Sequence, residues 1–376
     1  MAGLYFHIPF CAPKCIYCGF YSVINRALER DYLLSLHQEM DLRKEYLNGA
    51  SISTIYFGGG TPSLLSINTL EDILEHIRKN FTLVSALEIT IEANPEQLTL
   101  EYCQQLRAIG INRLSIGVQS FQDDVLRFMG RRHNAEDAIA AIHNAKEAGF
   151  SNISIDLIYG VAERDDARWQ QDVDTALSMP IQHLSCYALT PEENSILYKQ
   201  IQNRKHAPVD DEQAARQYDI LIKKIEKSPF EHYEVSNFAI PGYESKHNSS
   251  YWDHTPYLGF GPAAHSFNGS SRQWNPANLK QYIENIAQKI DNEEKEELSA
   301  DDLYNESILL GLRTREGIDL QSIGLTYGQE RASQLLQHFR QHVDAAFFEE
   351  KENRLRLTEA GYWFADGIAA DAFHTN

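Results

Sequence analysis

Short runs of β-branched and aromatic residues alternate with longer stretches of helical period through the first half of the 376-residue chain. The runs are Leu4–His7, Thr54–Phe57, Leu87–Glu92, Arg113–Ile116, Ile153–Ile158 and His183–Leu189. Between them lie helical patterns over Asp31–Tyr46, Ile67–Asn80, Leu98–Ile109, Ala135–Ala148 and Asp165–Met179. Strand, helix, strand repeated in this way requires parallel strands, because a parallel pair needs a crossover long enough to hold a helix. The pattern predicts an α/β fold, with a partial (βα)6 barrel of TIM type as the first reading and a doubly wound sheet as the alternative. The unusual residues fall where the runs end. Cysteines follow the first, Gly58-Gly59-Gly60-Thr61-Pro62 follows the second, Glu92 ends the third, Gln119 follows the fourth and Asp156 lies in the fifth. A barrel builds its site from the carboxyl ends of several strands, so these residues read as one site.

Three of the five cysteines form Cys11-Ala12-Pro13-Lys14-Cys15-Ile16-Tyr17-Cys18, a C-x3-C-x2-C loop. An odd count with three thiols inside eight residues makes a poor disulfide framework and a good metal site in a reducing compartment. Three thiolates in one loop suit an iron–sulfur cubane, leaving one iron without a protein ligand. The alternatives are a Cys3His zinc site that recruits His7, or buried structural thiols. Cys103 and Cys186 read as small buried hydrophobes or as additional ligands.

Charge narrows the partners. With 34 Lys and Arg against 53 Asp and Glu, the net charge of −19 argues against a nucleic-acid groove and against an anionic membrane surface. The opening residues have no basic region followed by an apolar run, and no apolar stretch reaches membrane-spanning length. A cytoplasmic location is expected. The chain divides into 1–232, an aromatic and His-rich connecting segment 233–290, and a small, mostly helical domain 291–376. The acidic stretch Asp291–Glu297 reads as a solvated linker or exposed helix face. Asp301–Arg313 is helical in pattern, and Leu355–Thr358 is a short strand leading into a helix over Glu359–Phe373.

Tyr5-Phe6-His7-Ile8-Pro9-Phe10-Cys11, the cysteine triad and the Gly-Gly-Gly-Thr-Pro run resemble the radical S-adenosylmethionine (SAM) superfamily. More narrowly, they resemble the oxygen-independent coproporphyrinogen III oxidase family. The resemblance implies a [4Fe–4S] cluster on Cys11, Cys15 and Cys18. It also implies SAM chelating the open iron, with reductive cleavage to a 5′-deoxyadenosyl radical. It assigns SAM contacts to Tyr5, Tyr17, Gly59, Gly60, Thr61, Glu92, Gln119, Arg131 (next to Arg132) and Asp156.

Two departures separate this chain from the oxidase itself. Tyr5 stands almost at the start, without the oxidase's long leading segment, and Phe20 occupies the position of a further cysteine. Both match the HemW subfamily of haem chaperones, as does His247-Asn248-Ser249-Ser250-Tyr251-Trp252, which has that subfamily's H-N-x-x-Y-W form. His247, Tyr251 and Trp252 are therefore haem-binding candidates, with His254, His265, Phe260, Phe267 and Trp274 nearby. Read from composition alone, the same residues form an aromatic core with satisfied histidines. The resemblance implies haem as cargo, apo-haemoproteins as clients and a reductant for the cluster. Membrane contact through clients and a homodimer complete the partner expectations. The alternative function is radical decarboxylation of coproporphyrinogen III, or another radical SAM reaction.

Overall fold

The computed structural model describes residues 1–162, 164–290 and 294–374. Six strands, β1 (Ala2–Ile8), β2 (Ile52–Gly59), β3 (Leu83–Ala93), β4 (Arg113–Gln119), β5 (Ile153–Tyr159) and β6 (His183–Ala188), pair parallel in sequence order. The helices between them start on side-chain caps that the sequence provides. Ser66, Thr99, Asn134 and Asp165 each accept a backbone N–H of the first turn, satisfying donors that the helix itself leaves open.

Parallel strands usually read as continuous apolar runs, because both faces are covered. Here they alternate. Leu4, Phe6, Ile55, Phe57, Ile89, Ile91, Leu114, Ile116, Ile155 and Leu157 point outward into one apolar core beneath the helices. The intervening residues Tyr56, Glu92, Ser115, Asp156 and Ser185 share the inner face and border a single cavity. The interior that bulky aliphatics fill in an ordinary barrel is therefore polar and hollow.

The six strands do not close on each other among the described residues. The segment 233–290 instead extends both edges, so it is part of the sheet rather than a connector. Strands β7 (Glu231–Glu234) and β8 (Asn237–Ala239) form an antiparallel hairpin beside β6. Strand β9 (Tyr257–Phe260) runs parallel to β1, followed by β10 (His265–Phe267), β11 (Ser271–Trp274) and β12 (Glu294–Glu297) to complete a twelve-stranded sheet. The acidic stretch departs from expectation here. Glu294–Glu297 is an exposed edge strand paired with β11, while 291–293 lie outside the described residues. Charge along an edge strand discourages further pairing.

The C-terminal domain has its own core around Ile308, Leu312, Leu335 and Phe339, and a three-stranded antiparallel sheet accompanies its helices. No helix among the described residues is long and apolar enough to cross a membrane.

Candidate functional site

The cysteine loop is held from both sides. Cys11 N–H donates to the Val23 carbonyl (3.0 Å), Ile16 N–H to Met129 (3.1 Å) and Leu197 N–H to Ile16 (2.7 Å). Within this frame Cys11, Cys15 and Cys18, with Gly60, Thr61 and Arg131, line a small cavity of about 60 Å³. The thiols have polar neighbours, with Cys11 Sγ 3.4 Å from Thr61 Oγ1 and Arg131 Nη1 donating to Cys15 Sγ at 3.4 Å. Burial pushes the Cys11 and Cys18 thiols up, so any ligation there must displace protons.

The zinc alternative fits poorly. Thiolates on one tetrahedral zinc stand about 3.8 Å apart, given Zn–S near 2.3 Å. Among the described residues no three of His, Cys, Asp or Glu gather closely enough to hold one ion. His7 is committed elsewhere, with Nε2 donating to the Tyr21 carbonyl (2.9 Å) and Nδ1 3.3 Å from Tyr5 Oη. Three soft, separated donors around a small void fit a polynuclear cluster.

Beside this void lies a cavity of about 610 Å³, and Tyr17, Cys18, Gly60, Thr61, Asn94 and Arg131 border both. Such a volume accommodates a ligand of cofactor size. Of the residues assigned to SAM, Tyr17, Gly59, Gly60, Thr61, Glu92, Gln119, Arg131 and Asp156 all line it. Tyr5 does not. Its ring packs behind Tyr56, with centroids 6.1 Å apart.

The glycine run is explained by what presses on it. Gly59 has φ +108°, and a Cβ there would stand 2.8 Å from the His7 ring. A Cβ on Gly60 would stand 2.5 Å from the Phe10 carbonyl oxygen. Bare backbone is thus brought to the cavity wall where any side chain would collide.

Two carboxylates face the cavity. Glu92 accepts from Tyr56 Oη (2.9 Å) and from the Gly59 N–H (3.2 Å), yet burial raises it to about 7. Asp156, 3.5 Å from Ser115 Oγ, is raised by burial to about 6. Burial thus disfavours the charged form of both, although Arg113 and Arg131 act against it at Asp156. Arg131 donates through Nη2 to Asn94 Oδ1 (2.8 Å) and the Gly117 carbonyl (2.6 Å), which ties the neighbourhood of Cys15 to β3 and β4.

Tyr56, Asn94, Arg113 and Asn248 also line this cavity. The inward-facing period of the strands marks Tyr56 and Asn94. Asn248, the N of the H-N-x-x-Y-W motif, arrives on the helix Lys246–Trp252 from beyond β6.

That helix carries the H-N-x-x-Y-W residues and places them differently from one another. His247 is 1% exposed, its Nδ1 2.8 Å from Thr54 Oγ1 and its Nε2 2.9 Å from Tyr251 Oη. Its ring stacks on Tyr56 at 5.0 Å, and burial lowers its pKa to about 3. Both ring nitrogens are used, so His247 presents no lone pair to an iron in this arrangement. Trp252 instead faces a second cavity, between this helix and the C-terminal domain.

Comparison with known proteins agrees with this geometry. Residues 5–176 match the radical SAM superfamily, and residues 298–364 match the HemN C-terminal domain. The heme chaperone HemW of Bacillus subtilis is 35% identical over 366 residues, covering 96% of either chain. The heme chaperone HemW of Mycobacterium tuberculosis is 34% identical, covering 97% of this chain and 93% of its own. Among solved structures, coproporphyrinogen III oxidase (HemN) of Escherichia coli superposes with a TM-score of 0.85 over 99% of this chain and 90% of its own, at 24% identity, which is a likeness of fold. Matched over nearly its whole length, the chain belongs to the HemW family of the radical SAM superfamily.

Proposed function

We propose that this chain binds haem and delivers it to apo-haemoproteins, on a scaffold that also carries a [4Fe–4S] cluster and SAM. The observation that carries this reading is the end-to-end likeness to proteins named haem chaperones, C-terminal domain included. Phe20 supports it over the oxidase alternative: it stands 68% exposed at the mouth of the large cavity, where the resemblance places the oxidase's further cysteine.

Cys11, Cys15 and Cys18 would hold the cluster. When bound, the cluster and SAM supply one-electron chemistry at an iron with an open position. The remaining work belongs to the chain. Gly59 and Gly60 offer close backbone, Glu92 and Asp156 neutralise a cationic ligand, and Arg131 holds the cysteine loop to the strand ends. The buried His247 supports Tyr56 from below. Partners follow from the reading, namely haem, apo-haemoprotein clients and a reductant, with the cytoplasm as the place of work.

The test runs two assays side by side on reconstituted protein. Haem added to the purified chain should bind saturably and move to an apo-acceptor. Coproporphyrinogen III should stay unchanged with SAM and reductant present. Conversion to protoporphyrinogen IX without saturable haem binding would replace this reading with the oxidase.

A further inference from the structure

We propose that the face around the cysteine loop is the docking surface of a small acidic protein that delivers one electron to the cluster. The inference rests on the cluster reading of Cys11, Cys15 and Cys18 and names the kind of partner that serves it.

Charge is spread unevenly along this chain. Acidic residues outnumber Lys and Arg by 53 to 34, yet residues 9–25, 125–134 and 196–209 contain no acid. The first of these segments carries Lys14 and the second Arg127, Arg131 and Arg132. The third carries Lys199, Arg204 and Lys205. The fold sets the three side by side. Ile16 N–H donates to the Met129 carbonyl (3.1 Å), and Leu197 N–H donates to the Ile16 carbonyl (2.7 Å). The His206 ring stands edge-on to Phe128, with centroids 5.0 Å apart. Beneath them Val125, Met129 and Leu197 share one small apolar cluster with Ile16 and Tyr17. The three thiols thus sit within a frame of basic segments.

Two of the bases are engaged locally. Arg131 donates to Cys15 and to the Gly117 carbonyl, and Lys14 donates to the Phe20 carbonyl (3.0 Å). The other five, Arg127, Arg132, Lys199, Arg204 and Lys205, are exposed, and none forms an ion pair among the described residues. Acids return only at the borders. Asp123 and Asp124 precede the second segment, while Glu192 and Glu193 stand just before the third. Asp124 pairs with Arg168, and Asp123 accepts from the Ala135 N–H (2.9 Å). Glu96, at the small void, lies 3.7 Å from His133 Nδ1. Positive charge is therefore left over on one face of a molecule whose net charge is −19. An acidic partner is repelled by the rest of the surface and attracted here, which orients it before contact.

Position selects what that partner brings. Electron transfer weakens steeply with distance, and this is where the loop reaches solvent, with Pro13 and Gly19 exposed and the thiols half-buried. Phe20 and Ile196, 68% and 45% exposed, add apolar area at the rim. Redox encounters use small interfaces, below about 1,200 Å², that form and separate quickly. Opposite charge speeds such encounters more than it tightens them. In the transfer the donor is oxidised by one electron and the cluster reduced by one, with no bond made or broken. An anionic membrane would answer to the same charges but supplies no electron.

The experiment is stopped-flow reduction of the reconstituted full-length protein by a reduced plant-type [2Fe–2S] ferredoxin, an acidic one-electron donor, read as loss of cluster absorbance. Association is read separately, from the fluorescence anisotropy of labelled oxidised ferredoxin. The parent's rate should fall about tenfold between about 50 and about 300 mM salt. Reversing Arg132→Glu, Lys199→Glu and Lys205→Glu together should lower the low-salt rate and the affinity at least about tenfold and flatten the salt dependence. The matched reversal of Lys79→Glu, Lys280→Glu and Lys351→Glu, exposed elsewhere, should cost less than about threefold. Reduction by photoreduced deazariboflavin, a small uncharged donor, and SAM binding by calorimetry should stay at the parent's values in both variants. The proposal is overturned if ferredoxin binds and reduces the first variant as it does the parent, or if the second variant loses as much. It is equally overturned if the parent takes electrons from deazariboflavin but not from ferredoxin. Loss of binding to phosphatidylglycerol vesicles, with ferredoxin reduction unaltered, would assign the face to a membrane instead. A chain that forms no cluster at all would remove the cluster reading itself, a result distinct from these.

Discussion

At the scale of single residues, the site is set by how burial acts on ionisable side chains. Cys11, Cys15 and Cys18 are the only cysteines brought to the loop, whereas Cys103 and Cys186 are buried on other elements. Replacing any of the three by Ala should abolish the roughly four irons per chain expected of a cubane after anaerobic reconstitution. Cys103→Ala and Cys186→Ala should leave the iron content at the parent level, as an iron assay reads directly. Glu92 gives a pH prediction. Burial raises it to about 7, so its neutral form stabilises the fold most below its unfolded value near 4.5. That contribution is lost as pH rises through 7. A cationic ligand favours the carboxylate, so SAM binding should release a proton and strengthen from pH 5 to 7, then level off. Glu92→Gln should flatten this slope and weaken binding by about 2–5 kcal/mol. Calorimetry in buffers of different ionisation heat measures both, and an unchanged slope in the variant would place the linked proton elsewhere.

At the scale of elements, some of the turns around the site are held by groups that line no part of the cavity. Asp172 shows this best. It lies fully buried on the helix Asp166–Ser178 and pairs with the buried Arg164. It also accepts from Ser120 Oγ (2.6 Å), the Phe121 N–H (3.1 Å) and Gln122 Nε2 (3.3 Å). These bonds fix the turn that follows Gln119, itself at φ +69°. Asp172→Ala leaves a buried guanidinium uncompensated and should cost about 3–5 kcal/mol in denaturant unfolding. It should also weaken SAM binding, although Asp172 lines no part of the site. A destabilised variant with unaltered SAM affinity would show that Gln119 is placed without this turn. Glu39 plays the same part at the other edge. It accepts from Tyr282 Oη (2.7 Å), Asn275 Nδ2 (2.7 Å) and the Gly261 N–H (2.9 Å), clamping the helix Glu29–Arg43 to the residues after β9.

At the scale of the molecule, the apolar core of the C-terminal domain is separate from those of the sheet unit, and the two units meet through backbone and ionic contacts and a few aromatic rings. Val235 N–H donates to the Arg313 carbonyl (2.9 Å), Arg315 N–H to Tyr233 (3.0 Å), and His232 Nδ1 lies 2.9 Å from Glu359 Oε2. Only Tyr218 against Trp363 (5.6 Å between centroids) and His232 against Tyr362 (4.6 Å) add ring contacts there. With no continuous apolar core across the junction, thermal unfolding should resolve into two steps that raised salt separates further. A single transition in calorimetry, with equal calorimetric and van't Hoff enthalpies, would rule that out. Acid should act on the larger unit first. His7 and His247 are held neutral by burial, at about 4 and about 3. The stability they contribute is present above the unfolded value near 6.5 and lost as pH falls below it. His7 alone accounts for roughly 3 kcal/mol of that loss. Glu92 and Asp156 act in the opposite direction over the same range, so denaturant midpoints between pH 7 and pH 4 should fall more steeply in Glu92→Gln than in the parent.

The α/β alternation was legible in the chain because strand and helix periods are local properties. The sequence places the helix Ile67–Asn80 at its observed bounds and the other crossover helices within a few residues. The cysteine loop and most of the large cavity's wall were legible too, since carboxyl ends of parallel strands lie on one side of a sheet whatever the remaining contacts are. The sequence also showed the charge that became β12, but not its conformation, since pairing with β11 rather than local preference makes it a strand. What only the tertiary structure decided was the use of the H-N-x-x-Y-W helix. Six residues of one motif look alike in sequence, yet Thr54 and Glu88, on β2 and β3, take hold of His247 through its ring and its backbone N–H. The helix axis then sends Asn248 toward one cavity and Trp252 toward the other. Which face of a helix meets which partner depends on contacts far apart in the chain, and local sequence carries no record of them.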